Sequence, residues 1–203
     1  GSIAASRGEE WVSPGPEDLS GEGFDLNAHA WQLYAETVTH LIRQEPARAA
    51  DRTMQAMEKL FEFSGIADDF PILWQEAVEI VLAAQEETAL HRLLELARFD
   101  DEADHSISIG LRSHIERTRG LLAVRDGDVV TAEAAFRRAI GGYESWHSPR
   151  YRFRTEADLG VLLCGAGRVE EGLPLIEAAR SFYTSIGATA WLAELEAKAV
   201  VAS

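Results

Sequence analysis

The chain has 203 residues, 46% of them hydrophobic, which is ample for one compact core or a short repeat array. A formal charge of −15 makes it repel nucleic acid overall, and a single cysteine, Cys164, excludes an internal disulfide and a cysteine-based metal cluster. No apolar run reaches the roughly 18 residues of a membrane span, and no charged-then-apolar leader opens the chain, so the expected compartment is cytoplasmic.

Taken in chain order, Gly1-Ser2 reads as a remnant of tag cleavage, and the chain as an excised piece of a larger protein. Residues 1–24 read as a flexible linker, punctuated by Gly8, Gly15, Gly21, Gly23, Pro14 and Pro16 and charged by Glu9, Glu10, Glu17, Asp18 and Glu22. Trp11 within it could still find an apolar resting place on the body. Residues 25–203 read as one helical repeat domain. The spacing predicts nine helices, over 26–44, 47–64, 69–84, 86–98, 106–126, 128–145, 149–166, 168–186 and 188–202. No alternating Val/Ile/Thr run with a hairpin turn appears, so the fold class is all-α. Gly127-Asp128 ends one helix and caps the next, and Ser148-Pro149 supplies a cap followed by a first-turn proline. Gly165, Gly167 and Gly187 fall at turns. Val129, Ala132, Ala135, Phe136, Ala139 and Ile140 share one helix face, a single buried stripe.

The helix pair at 111–145 and the pair at 150–186 align at an offset of 40 residues. Gly120 with Ala132, Phe136 and Ala139 matches Gly160 with Gly172, Ile176 and Ala179. Small positions let two helices approach, and the large apolar one fills the groove between them. The earlier half repeats the pattern with larger side chains: Trp74, Ala77, Val78 and Val81 precede Leu90, Leu94 and Ala97. Trp31, Tyr34, Ala35 and Val38 stand 43 residues upstream, with Ala50, Met54 and Met57 after them. This resembles the tetratricopeptide repeat, although the period exceeds the roughly 34 residues of that family. The resemblance implies a right-handed superhelix of four antiparallel helix pairs, closed by a last helix carrying Trp191, Leu192 and Leu195. The stretch from Gly120 to Glu196 is similar to the C-terminal helical arrays of large actinobacterial regulators, the class III cyclase-like and LuxR/MalT-like proteins. That implies a sensing or scaffolding role beside signalling domains.

Catalytic motifs are missing from the sequence. It has no Gly-x-x-x-x-Gly-Lys-Ser/Thr loop, no Gly-x-Gly-x-x-Gly after a strand and no His-Glu-x-x-His pair, so neither an enzyme nor a cofactor is expected. Asp100, Asp101, Glu102 and Asp104 beside His105 lack the glycine and terminal glutamate of a calcium loop and read as a solvated connection.

Charge is unevenly placed. Residues 1–104 carry 7 basic and 22 acidic side chains, while residues 105–154 carry 9 basic and 5 acidic, the basic ones all arginine. Guanidinium suits planar recognition of carboxylate or phosphate. In the family resembled, the first helix of each pair lines the concave groove. That places His114, Arg117, Leu121 and Arg125 in the groove from one pair, and Arg154, Ala157, Asp158 and Val161 from the next, with Arg150 one turn before Arg154. The expected partner is a protein or acidic peptide segment, or a small phosphorylated ligand; no nucleic acid, membrane or metal is expected. Two alternatives stay open: these arginines could be ordinary surface partners of their acid-rich neighbours, and the helical surface could mediate homodimerisation.

Overall fold

The computed structural model describes residues 26–64, 70–97 and 107–201, and every regular element among them is a helix. They run α1 (Leu26–Ile42), α2 (Pro46–Ser64), α3 (Phe70–Ala83), α4 (Glu87–Leu96), α5 (Ile109–Arg125), α6 (Val129–Ser145), α7 (Pro149–Gly165), α8 (Val169–Ser185) and α9 (Thr189–Val201). The predicted helices are all present, with ends within about three residues of those expected. The linker reading of residues 1–24, the docking of Trp11 and the acidic run at 100–105 lie outside the described residues. The chain divides into two compact units, Gly1–Asp104 and His105–Ser203.

Six connections among the described residues share one construction. Gln44, Gln85, Gly127, His147, Gly167 and Gly187 each have φ between 55° and 79°. At His147 the N–H bonds back to Glu144 O at 3.0 Å, and the following Ser148 N–H bonds to Tyr143 O at 2.9 Å. The same pair of bonds recurs at the other five turns. This is the Schellman termination, which satisfies the last carbonyls of the helix and reverses the chain in three residues. Three of the six turns manage it without glycine, at the cost of a left-handed side-chain-bearing residue.

In the second unit the helices begin 20 residues apart, at 109, 129, 149, 169 and 189. Four of them are 17 residues long, and a three-residue turn completes each step. Two steps make the 40-residue offset seen in the sequence. Within each 20-residue step the short turn forces the next helix to fold back against the last. Thus α5 packs on α6, α7 on α8, α6 on α7, and α9 on both α8 and α7.

The small positions are where helices touch. A Cβ at Gly120 would lie 2.5 Å from the Phe136 ring, and one at Gly160 would lie 2.9 Å from Gly172 O and 2.8 Å from the Ile176 side chain. Ala132, Ala135, Phe136 and Ala139 are fully buried, and Tyr143 continues their stripe. Val129, expected on the same face, is 36% exposed because it stands in the first turn, at the edge of the helix pair. Leu159 and Leu163 of α7 close the Phe136 cluster, while Ile176, Ala179, Tyr183 and Leu195 form a second cluster under α9.

The first unit follows the same logic with larger side chains. Ala50, Met54 and Met57 of α2 are buried, as are Trp74, Ala77, Val78 and Val81 of α3 and Leu90 and Ala97 at α4. Leu94 is half-buried, and Trp31 is 38% exposed, unlike its counterpart Trp74. Buried threonine hydroxyls are satisfied locally: Thr53 donates to Ala49 O and Thr37 to Leu33 O.

Two substitutions should move stability in opposite directions. Gly160→Ala forces α7 and α8 apart and should cost about 1–3 kcal/mol by overpacking. His147→Gly relieves a left-handed histidine and should add about 0.5–1 kcal/mol. Urea midpoints of the two variants check both, and an unchanged midpoint for Gly160→Ala would mean the crossing is looser than described.

Candidate functional site

The side chains facing one another across α5, α7 and α9 are charged, and they alternate in sign. Arg117 on α5 donates through Nε and a terminal nitrogen to one oxygen of Asp158 on α7, at 3.0 and 2.8 Å. Both side chains are buried, at 2% and 8% exposure. Lys198 on α9 stands 3.5 Å from the other Asp158 oxygen and 2.7 Å from Glu194, four residues earlier on its own helix. Glu194 in turn accepts from Arg154 on α7 at 3.2 Å. Arg117, Asp158, Lys198, Glu194 and Arg154 therefore form one ladder joining three first helices. A buried ion pair is costly to assemble and more costly to break from one side, about 3–5 kcal/mol. Arg117 thus spends its fork inside the fold.

His114, one turn before Arg117, is 2% exposed. Its Nδ1 lies 2.6 Å from the Tyr143 hydroxyl, and its ring meets Tyr151 edge-on at 4.6 Å and Trp146 at 5.9 Å. Burial, with the Arg117 charge adding to it, pulls its pKa down from 6.5 to about 3, so the imidazole is neutral. Leu121 and Val161, expected in the groove, each pack on a separate core: Leu121 against the Phe136 cluster and Val161 against the Tyr183 cluster. Arg125 is exposed in the last turn of α5.

Arg150 is different. It is exposed near the start of α7, and its guanidinium lies over two rings, 4.9 Å from the Trp191 centroid and 5.6 Å from that of Tyr151. Arg154 approaches Trp191 too, at 5.0 Å. Trp146, 44% exposed, lies parallel to Tyr151 at 6.0 Å. Among the nine arginines of residues 105–154, Arg117, Arg119, Arg137, Arg138, Arg152 and Arg154 pair with carboxylates. Arg150 has no carboxylate partner among the described residues; its guanidinium carbon lies over Trp191 and Tyr151 instead. Trp146, Arg150, Tyr151 and Trp191 make an aromatic ledge around one cation.

The structure thus brings Arg117, Asp158 and Arg154 into one network and sets Arg150 apart on the ledge. Glu194, Lys198, Trp191, Tyr151 and Trp146 were not anticipated. The signal was present: Glu194, Lys198 and Trp191 each follow Arg154, Asp158 and Tyr151 by the same 40 residues that align the repeats. The cleft lined by Arg154, Asp158, Tyr183, Trp191, Glu194 and Lys198 has room for about one water, with a volume near 10 Å³. No group of three or more metal-ligating side chains occurs among the described residues, and no helix there is long and apolar enough to cross a membrane. The chain matches no family model and no curated protein.

The depressed pKa of His114 makes a pH prediction. The unfolded imidazole takes up a proton near pH 6.5, while the folded one waits until about 3. Unfolding therefore binds a proton between those values, and stability falls as pH drops through the window, by about 1.4 kcal/mol per pH unit. Carboxylates held low in the fold, such as Glu133 beside Arg168, add to the loss only near and below their ordinary range. Between pH 7 and pH 5 the wild type should lose about 2 kcal/mol more than His114→Gln in urea unfolding. Equal losses in the two proteins would mean that folded His114 is already protonated.

Proposed function

We propose that this chain is a protein-interaction or sensor module, the regulatory part of a larger signalling or transcription regulator, and that it captures an acidic peptide segment. The observation that carries the reading is the ledge. Tryptophan, tyrosine and arginine are the side chains that most often dominate binding energy at protein interfaces, and here they are grouped at the surface. A cleft that holds about one water favours recognition over a surface rather than enclosure of a small molecule. Stacked helix hairpins offer such a surface, and the resemblance to tetratricopeptide arrays of multidomain regulators points the same way.

Selection from a random peptide library displayed on phage, with the full chain immobilised, tests this. Enriched peptides should be acidic, and their capture should weaken as salt rises from 50 to 500 mM, on the order of the change from a 14 Å to a 4 Å screening length. Failure to enrich any peptide over a bare-surface control would overturn the reading.

A second reading, homodimerisation, is favoured by a separate observation. Val129 and Val130 of α6, and Val169 and Leu173 of α8, are 36%, 79%, 46% and 48% exposed, and Val129 and Val169 occupy the same position of successive hairpins. Exposed apolar residues grouped in this way suit a protein contact. In that case light scattering gives twice the monomer mass, and Val130→Glu with Leu173→Glu restores the single mass. A wild-type chain that stays monomeric at high micromolar concentration rules the second reading out.

A further inference from the structure

We infer that Arg150 is the anchor for a single carboxylate of an extended peptide, and that Trp146 beside it receives an apolar side chain two residues away from that acid. The inference rests on the interaction reading above and specifies its ligand.

The argument begins with the guanidinium. It carries five N–H donors in its plane and none on its faces. The guanidinium carbon lies over the Trp191 and Tyr151 rings, which hold the cation by its charge and do not occupy its N–H donors with a carboxylate. A carboxylate approaching in that plane accepts two parallel bonds, the arrangement for which a fork is pre-organised. Holding the side chain on two rings in advance also lowers the rotamer entropy lost on binding.

Charge then selects the ligand. The other cations nearby are already matched: Arg154 and Lys198 by Glu194, and Arg117 and Lys198 by Asp158. One unmatched positive charge complements a monoanion such as a carboxylate. A phosphate near its full dianionic charge would leave one charge without a counterpart.

Geometry sets the spacing. Trp146 and Arg150 both lie within about 6 Å of the Tyr151 ring, on a shared ledge. In an extended peptide, side chains on one face recur every second residue, about 7 Å apart. Through Tyr151, Trp146 and Arg150 stand no more than about 12 Å apart, a span that the side chains of an acid and of an aromatic or aliphatic residue two positions away cover. Peptides with the order Glu-x-Phe or Asp-x-Leu, in either chain direction, have the matching form.

Fluorescence anisotropy with the full chain tests this, using labelled octapeptides centred on Glu-Ser-Phe, Gln-Ser-Phe, phosphoserine-Ser-Phe and Glu-Ser-Ala. The Glu-Ser-Phe peptide should bind at least about tenfold tighter than Gln-Ser-Phe and several-fold tighter than Glu-Ser-Ala. Arg150→Gln should abolish the preference for Glu over Gln, and Arg150→Lys should keep part of it, with circular dichroism unchanged in both because Arg150 is exposed. Equal binding of the Glu and Gln peptides overturns the proposal, as does a preference that survives Arg150→Gln or tighter binding of the phosphoserine peptide. Phage-selected peptides that bind Arg150→Gln at full strength sink this anchor and leave the interaction reading standing. A library that yields no peptides sinks both.

Discussion

Where α7 crosses α8, backbone touches backbone. A Cβ on Gly172 would come within 2.6 Å of Gly160 O, and one on Gly160 within 2.9 Å of Gly172 O. That contact sets how closely the two helices of a hairpin lie, and the spacing of everything else in the second unit follows from it. Gly120 against Phe136 gives the hairpin before it a different solution to the same constraint: glycine on one helix makes room for a ring from the other. With the crossing fixed, a 17-residue helix and a three-residue turn return the chain to an equivalent position every 20 residues. The equivalence is what allows α5, α7 and α9 to present the same helical positions to one another.

The charge ladder exploits that equivalence. Arg117 meets Asp158 from the preceding first helix, and Arg154 and Asp158 meet Glu194 and Lys198 on the following one. Hydrophobic contacts tolerate sliding, whereas a buried guanidinium needs its carboxylate within about 3 Å or pays the cost of desolvation unpaired. The ladder therefore favours one register of the first helices over neighbouring ones. It accounts for the placement of a salt bridge in a position where an apolar pair would pack as well. By contrast, Arg137 and Arg138 on α6 and Arg168 at the N-cap of α8 keep their guanidinium groups largely in solvent, where such pairs gain little individually.

Much of the fold was legible because periodicity is a local property. Phe136, Ala139, Ile176 and Ala179 announce their helix faces by spacing alone, and Gly127, Gly167 and Gly187 mark turns that need a positive φ. Gln44, Gln85 and His147 occupy the same left-handed position without glycine; the turn at His147 shows through Ser148-Pro149, and those at Gln44 and Gln85 mainly as breaks in periodicity. The candidate site was less legible, for a physical reason. Helical spacing groups Arg150 with Arg154 and His114 with Arg117, but it does not say what stands opposite them. Arg117 reads as a groove residue until Asp158 is seen across from it, and Leu121 and Val161 read as groove residues until each is seen packed on a separate core. Extending the 40-residue offset beyond the apolar positions would have matched Arg154 to Glu194 and Asp158 to Lys198.

Arginine content alone thus says little about what a helical surface binds. Residues 107–201 contain 12 basic and 12 acidic side chains, and the net charge of −15 belongs to the residues before them. In a balanced unit of this kind the average field is weak, and beyond about 8 Å it is screened by physiological salt. Recognition of an anion then depends on a cation that the fold has not already neutralised at contact distance. Lys198 and Arg154 are as positive as Arg150, yet each faces a carboxylate at 2.7–3.2 Å. Arg150 faces the π surfaces of Trp191 and Tyr151, which hold a cation without cancelling its charge. An anion at Arg154 must compete with Glu194 for the guanidinium; at Arg150 it meets no competing carboxylate among the described residues. The aromatic ledge therefore holds Arg150 without a carboxylate among the described residues, whereas the ladder pairs each of its cations with one.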